Sequence, residues 1–323
     1  MTLIKFLRAG AIAILATTAT LSGLTTFAHA AAPQAKTSAP GFYRVMLGDF
    51  EVTALLDGTV ELPVDKILSI KPDQVKKTLA RSYLKAPLET SVNAYLINTG
   101  AKLVMVDAGA AGLFGPTLGK LPANLKAAGY SPEQVDEIYI THLHPDHVGG
   151  ITVDGKAIFP NATIRADKHD ADFWLSEENM KKAPKDLQGF FAGAQGALKP
   201  YIAAGKFKPF EGNTDLVPGV KAQITHGHTP GHTFYVAESR GQKMVFWGDL
   251  MHVAAVQFEN PGVTIQFDTD SKAAAAQRRR AYAEAARHGY LVGIAHVSFP
   301  GIGRLRANGA GYTWLPVNYS AVK

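Results

Sequence analysis

Apolar residues recur along this chain at alternate positions or in short unbroken runs, each bounded by glycine, proline or asparagine. In the first half, residues 43–47, 50–56, 93–98 and 103–106 read as strands, with Asp57-Gly58 and Asn98-Thr99-Gly100 as turns between them. Residues 116–128 read as a helix closed by Gly129. Ser131-Pro132-Glu133-Gln134 then supplies a capping serine, a proline at the first helical position and a glutamine three after the cap, leading into a strand at 137–141. The second half repeats the plan. Strands are expected at 162–166, 221–225, 232–238, 243–247 and 290–295, and a helix over 168–175. An alanine-rich helix over 271–288 follows the acidic pair Asp268 and Asp270, which suits the positive end of its dipole. Only 181–208 breaks the rhythm, with Phe190, Phe191 and Tyr201 set among glycine and proline, and reads as an irregular insertion. Two halves of strands and helices without a linker predict an α/β fold: one domain of two sheets covered by helices.

The chemistry sits where these strands end. Thr141-His142-Leu143-His144-Pro145-Asp146-His147 packs three imidazoles and a carboxylate into six residues directly after the apolar 138–140. Imidazole nitrogen and carboxylate oxygen suit zinc and its neighbours. His142 and His144, two apart on an extended segment, point the same way and can share one ion, while Asp146 and His147 fall on a turn and can reach a second. His232 follows a short apolar-polar stretch, and Asp249 and His296 each follow a later buried strand. Seven such ligands fit two metals roughly 3.5–4 Å apart better than one. His226 and His228, flanking Gly227, are read as loop residues or as supporting residues behind the ligands, outside this set.

Composition narrows the picture. There is no cysteine, so stability has to come from a sizeable core and the metal site from nitrogen and oxygen alone. Residues 1–30 have the parts of a secretory signal peptide: Lys5 and Arg8, an apolar stretch at 11–16, and Ala28-His29-Ala30 as the cleavage site. The expected location is periplasmic or secreted, after cleavage near Ala30. That stretch is too short to span a bilayer, and no later one approaches the length. Residues 31–41 read as a flexible arm, and 42–323 as the folded domain. Without Lys5 and Arg8 the formal charge falls from +6 to +4, a modest excess. Arg278-Arg279-Arg280, the one tight basic cluster, reads as a solvated helix face, so nucleic acid is not an expected partner.

The run His142-Leu143-His144-Pro145-Asp146-His147 carries the H-x-H-x-D-H signature of the metallo-β-lactamase superfamily, which this chain resembles, with His232, Asp249 and His296 matching its later ligands. The likeness extends to the methyl parathion hydrolase branch, with its dihydrocoumarin hydrolases, lactonases and arylesterases. It is carried there by Lys85-Ala86-Pro87-Leu88-Glu89-Thr90-Ser91, Gly109-Ala110-Ala111-Gly112-Leu113-Phe114-Gly115-Pro116 and Ser298-Phe299-Pro300-Gly301-Ile302-Gly303. The resemblance implies a four-layer αββα sandwich and two divalent metal ions, zinc first, with cobalt, manganese or cadmium as alternatives. His142, His144 and His232 would hold one ion, Asp146, His147 and His296 the other, and Asp249 would bridge. Asp107 sits where relatives place a carboxylate behind the ligands. The commonest β-lactamases of the superfamily use a cysteine ligand, which this chain lacks.

The implied reaction is attack of a metal-bridging hydroxide on a small-molecule ester, with Asp146, Asp249 and His252 as catalytic groups. Phe114, Trp174 and Phe190 match aromatic pocket positions of the branch and suit an aryl group. His252, Ile265 and Phe267 stand where phosphotriester-specialised members carry apolar, smaller or more polar side chains. These departures favour aryl esters and aromatic lactones of the dihydrocoumarin kind, with weak organophosphate hydrolysis. The alternative is a methyl parathion hydrolase-type phosphotriesterase. A homodimer is expected from the resemblance alone.

Overall fold

The computed structural model describes residues 32–321, so the signal peptide read at 1–30 lies outside the described residues. Residues 32–38 contain no helix or strand, and the chain from Ala39 onward forms a separate compact unit.

Two sheets build that unit. The first holds β1 (Phe42–Leu47), β2 (Phe50–Leu62), β3 (Leu88–Asn98), β4 (Leu103–Val106) and β5 (Glu137–Tyr139) in sequence order. A two-stranded ribbon, β6 (Thr152–Val153) with β7 (Lys156–Ala157), precedes the sixth strand of that sheet, β8 (Thr163–Arg165). The second sheet runs from its far edge as β15 (Gly311–Pro316), β14 (Ile302–Asn308), β13 (Leu291–Gly293), β12 (Gln242–Phe246), β11 (Thr233–Ser239), β10 (Val220–Ile224) and β9 (Thr214–Val217). Strand alternation divides the apolar residues among three layers. Tyr95, Ile97, Tyr235 and Ala237 pack between the sheets. Their neighbour Leu96 points to the opposite face, where the helices Leu121–Ala127 and Lys185–Ala203 supply Leu125, Phe191 and Leu198. Phe234 and Val236 pack under Tyr282 and Ala285 of the helix Ser271–His288. Both sheets are thus covered on both faces, as the four-layer αββα sandwich requires. Each fully buried Leu, Ile or Phe contributes roughly 1.5–3 kcal/mol, so the core needs no covalent crosslink.

Strand direction decides where the ligands gather. β4 and β5 run parallel, as do β12 and β13, so Asp107, the 141–147 run, Asp249 and His296 leave the sheets at one edge. β11 is antiparallel to β12, which brings its first residues, and His232 just before them, to the same edge. The sheets are tied together there by Thr233 N–H donating to the Thr141 carbonyl (2.9 Å) and Tyr235 Oη–H to that of Ile140 (2.8 Å).

Four expectations change. Asp57-Gly58 is not a turn: β2 continues through a bulge at Gly58, where φ is +147° and a Cβ would lie 2.0 Å from the Thr117 carbonyl oxygen. The Asp57 carboxylate accepts the amides of Ala110, Gly119 and Leu121 and shapes the following loop, so the helix read at 116–128 shortens to Leu121–Ala127. The insertion at 181–208 is mostly the helix Lys185–Ala203, whose Gly193 lets it close on Pro145. Arg278 is not on a solvated face. It is fully buried, donating from Nε to the Leu250 carbonyl (2.6 Å) and from Nη1 to those of Val263 (2.7 Å) and Pro261 (3.2 Å). Arg279 and Arg280 are exposed as expected.

Candidate metal centre

Five histidines at this edge are each anchored through Nδ1. His147 Nδ1–H donates to Asp107 Oδ2 (2.8 Å), His228 Nδ1–H to Asp268 Oδ1 (2.8 Å) and His296 Nδ1–H to the Ser91 carbonyl (2.9 Å). His142 Nδ1 and His232 Nδ1 hydrogen-bond to the hydroxyls of Thr141 (3.1 Å) and Thr225 (2.9 Å). Such partners fix tautomer and ring orientation, leaving Nε2 for the interior. Asp107 does more: it also accepts the Thr141 amide and hydroxyl, from a backbone held at φ +58°. Gly248, at φ +50°, precedes Asp249 where a Cβ would lie 2.6 Å from Thr141 Oγ1, so the two ligand segments approach as closely as glycine permits.

The free nitrogens surround one carboxylate. Asp249 Oδ1 is 3.0 Å from both His147 Nε2 and His296 Nε2, while its Oδ2 is 3.0 Å from His252 Nε2, 3.3 Å from His228 Nε2 and 3.5 Å from His142 Nε2. Asp146 Oδ2 lies 3.4 Å from His296 Nε2 and 3.6 Å from His147 Nε2. His142 Nε2, His147 Nε2, both nitrogens of His252 and Asp249 Oδ1 are buried without a hydrogen-bond partner. Leaving one such atom unsatisfied costs about 1–3 kcal/mol. The donor atoms group as His142, His144, His228 and Asp249 on one side, and as Asp146, His147 and His296 or Asp249, His252 and His296 on the other. Two divalent metal ions fit this set of inward-facing, unsatisfied nitrogen and oxygen atoms.

His228, read from sequence as a loop or supporting residue, is buried in the first of these groups, its Nε2 3.2 Å from His144 Nδ1. His232 Nε2 instead accepts the amide of Asp249 at 3.1 Å. Asp170 was also not singled out. Its buried carboxylate accepts the amides of Leu143 (2.8 Å) and Gly231 (2.5 Å) and so clamps both ligand loops. Burial pushes its carboxyl up to about 6 despite those amides. Its only sequence signal was a carboxylate on a helix behind the motif.

The metal-free rings titrate apart. Burial holds His142 and His144 well below the usual imidazole range and His232 at about 3, with neighbouring cationic rings adding to the effect. Burial is the largest single influence and opposes the cation at His147, His228 and His296, but the carboxylates around each ring, Asp249 foremost, together outweigh it. Asp146 and Asp107 add to this at His147, Asp268 at His228 and Asp146 at His296. His147 therefore stays well above the usual range, His228 reaches about 9 and His296 is raised. A metal must displace the proton from any of these that ligates it, so affinity should rise with pH by up to about tenfold per unit for each proton released. Chelator competition at pH 6, 7 and 8 measures this, and a flat profile would contradict it.

Above the ligands lies a narrow cavity of about 90 Å³, walled by Val60, Leu62, Phe114, Phe190 and Phe267 and floored by His144, Asp146, Asp249, His252 and His296. Phe190 bridges the wall, its ring centroid 6.1 Å from Phe114, 6.2 Å from Phe267 and 5.0 Å from His144. His252 is buried in the floor, stacked on His296 at 5.1 Å. Trp174 and Ile265 stand behind the lining: Trp174 backs His144 edge-on at 5.0 Å, and Ile265 packs with Val253 and Val256. Val60 and Leu62 were missed because they lie beyond the presumed turn, although their alternation was visible.

A family model described as the metallo-beta-lactamase superfamily matches residues 88–292. Among curated proteins, an N-acyl homoserine lactonase of Bacillus sp is 28% identical over 204 residues, 57% of this chain and 72% of that protein. Among solved structures, one described as hydrolase AbOPH in the beta lactamase superfamily is 40% identical with a TM-score of 0.84, covering 88% of this chain and all of that one. AidC, described as a dizinc quorum-quenching lactonase in complex with its product, is 27% identical with a TM-score of 0.80, covering 87% of this chain and 99% of that one.

Proposed function

This chain belongs to the metallo-beta-lactamase superfamily, and from that premise we propose that it is a dinuclear metal-dependent hydrolase of lactones and aryl esters that turns over phosphotriesters weakly. The observation that carries the reading is the narrow aromatic-walled cavity opening directly onto Asp146, Asp249, His252 and His296. The lactonases among its relatives support the same substrate class.

We assign His142, His144 and His232 to one ion, for which His232 Nε2 would give up the Asp249 amide, and Asp146, His147 and His296 to the other, with Asp249 between them and His228 beside the first. Zinc is the preferred metal, supported by the nitrogen-rich donor set and by the dizinc relative. When bound, such a pair supplies a nucleophile at neutral pH and a Lewis acid for the acyl oxygen. The residues position and protonate. Phe114, Phe190 and Phe267 hold a flat ring and exclude water from the floor. Burial keeps the His252 pKa low despite Asp249, so a neutral ring faces the substrate and orients it by hydrogen bonding. Asp146 and Asp249, both in the cavity floor, are the carboxylates we assign to take up a proton. A phenolate leaving group, with a parent pKa of about 10, needs no strong acid.

A kcat/KM panel on the metal-loaded protein tests the substrate reading. Dihydrocoumarin and phenyl acetate should exceed dimethyl and diethyl aryl phosphotriesters, and His252→Leu should narrow the gap by making the floor apolar. A phosphotriester preferred by about tenfold, or about 1.4 kcal/mol of transition-state stabilisation, would replace this reading with the phosphotriesterase one.

We also propose that the chain is exported, cleaved near Ala30 and active as a homodimer of single domains spanning 42–323. The charged, apolar and small-residue parts of 1–30 support export, and the family resemblance supports the dimer. Among the described residues no helix is long and apolar enough to cross a membrane. Intact mass and light scattering on the exported protein test both points.

A further inference from the structure

Outside the metal centre, a second group of potential ligands meets at the surface. Asp167 caps the helix Lys168–Trp174, and its Oδ1 accepts the His169 amide (2.7 Å) and faces His169 Nδ1 (2.8 Å). Its Oδ2 faces Nε2 of His226 (3.3 Å), which arrives from the loop before His232. The two rings lie 4.8 Å apart, and one donor atom from each of the three residues falls within 4.8 Å of the others. The Asp167 side chain is fully buried, whereas those of His169 and His226 are 52% and 31% exposed. Among the described residues Asp167 is paired with no lysine or arginine, only with these two imidazoles. A buried carboxylate facing a nitrogen on each oxygen is a half-built ligand set with its open side toward water.

We propose that Asp167, His169 and His226 form a third, exchangeable transition-metal site that takes zinc or, more tightly, copper. Two imidazole nitrogens and one carboxylate oxygen suit both ions, and copper leads zinc in intrinsic affinity for such donors. Bonds of about 2.0–2.2 Å around a tetrahedral ion place its ligands roughly 3.3–3.6 Å apart. The two Asp167–imidazole separations of 2.8 and 3.3 Å are near that spacing, and the donors, all within 4.8 Å of one another, close on an ion by rotation of the two partly exposed rings. Water completes the shell on the exposed side, which makes this site weaker than the buried centre. Occupancy would join the loop carrying His228 and His232 to the helix carrying Asp170, both of which frame the metal centre. The inference is independent of the substrate reading.

The test uses the full protein after its buried centre has been loaded with zinc. Equilibrium dialysis against rising free zinc, with ions counted by elemental analysis, should show one further ion per chain in the unaltered protein. His169→Ala and His226→Asn should each lack that ion while keeping the first ions and the basal activity. Copper added below one equivalent should give an axial electron paramagnetic resonance spectrum with nitrogen coupling, lost in both variants. A count that does not rise above the buried ions overturns the proposal, as does a further ion retained in either variant. If one variant fails to keep its first ions, the other decides alone.

Discussion

Replacing Asp249 by alanine is expected to lower kcat/KM by on the order of 10³ or more and to leave the protein unable to hold two metals tightly. Its two oxygens stand 3.0–3.5 Å from nitrogens of five histidines, and among the described residues no other side chain serves both halves of the centre. Burial favours its neutral form, but the surrounding rings, His147 first, hold the carboxyl well below its ordinary range. Losing that charge removes the shared ligand and leaves the rings to repel one another wherever they are protonated. A loss of about 4 kcal/mol of transition-state stabilisation corresponds to about 10³ in rate. Elemental analysis and kcat/KM on the same preparation read both effects. An Asp249→Ala protein with two tight metals and near-normal turnover would refute the ligand assignment.

The largest expected stability effect lies away from the ligands, at Arg278. Arg278→Met should destabilise the fold by about 3–5 kcal/mol in denaturant titration, because the carbonyls of Leu250, Pro261 and Val263 lose a buried charged donor. Asp268 would also lose its nearby guanidinium, 3.9 Å away, and Asp268 orients His228. Arg279→Met and Arg280→Met, at exposed positions, should change stability by no more than about 0.5 kcal/mol. Equal effects at all three positions would mean that burial of Arg278 has no energetic role.

These cases mark what a linear sequence discloses. The 142–147 run was legible because its donors are consecutive and follow an apolar strand, so local geometry alone brings them together. Asp249 and His296 were legible at one edge because the parallel β12 and β13 end there, and His232 because the antiparallel β11 begins there. His228 was not, since a loop has no period to tell which of three histidines points inward, and Asp268, which orients it, is 40 residues distant. Arg278 misled because its neighbours are charged, while the carbonyls that satisfy it come from residues 250–263. The 181–208 segment looked irregular because glycine usually breaks a helix, whereas Gly193 serves the close contact with Pro145. Asp57-Gly58 looked like a turn on composition, but β3 pairs across it and draws the strand on to Leu62.

The continuation of β2 beyond Gly58 bears on how such a protein can diversify. It sends Val60 and Leu62 to the cavity wall from a strand that carries no metal ligand, just as Phe190 and Phe267 come from segments outside the ligand runs. Selection acting on those positions can reshape the opening while the metal-binding scaffold stays constant, so new substrate ranges are reachable by single substitutions that keep the reaction chemistry intact.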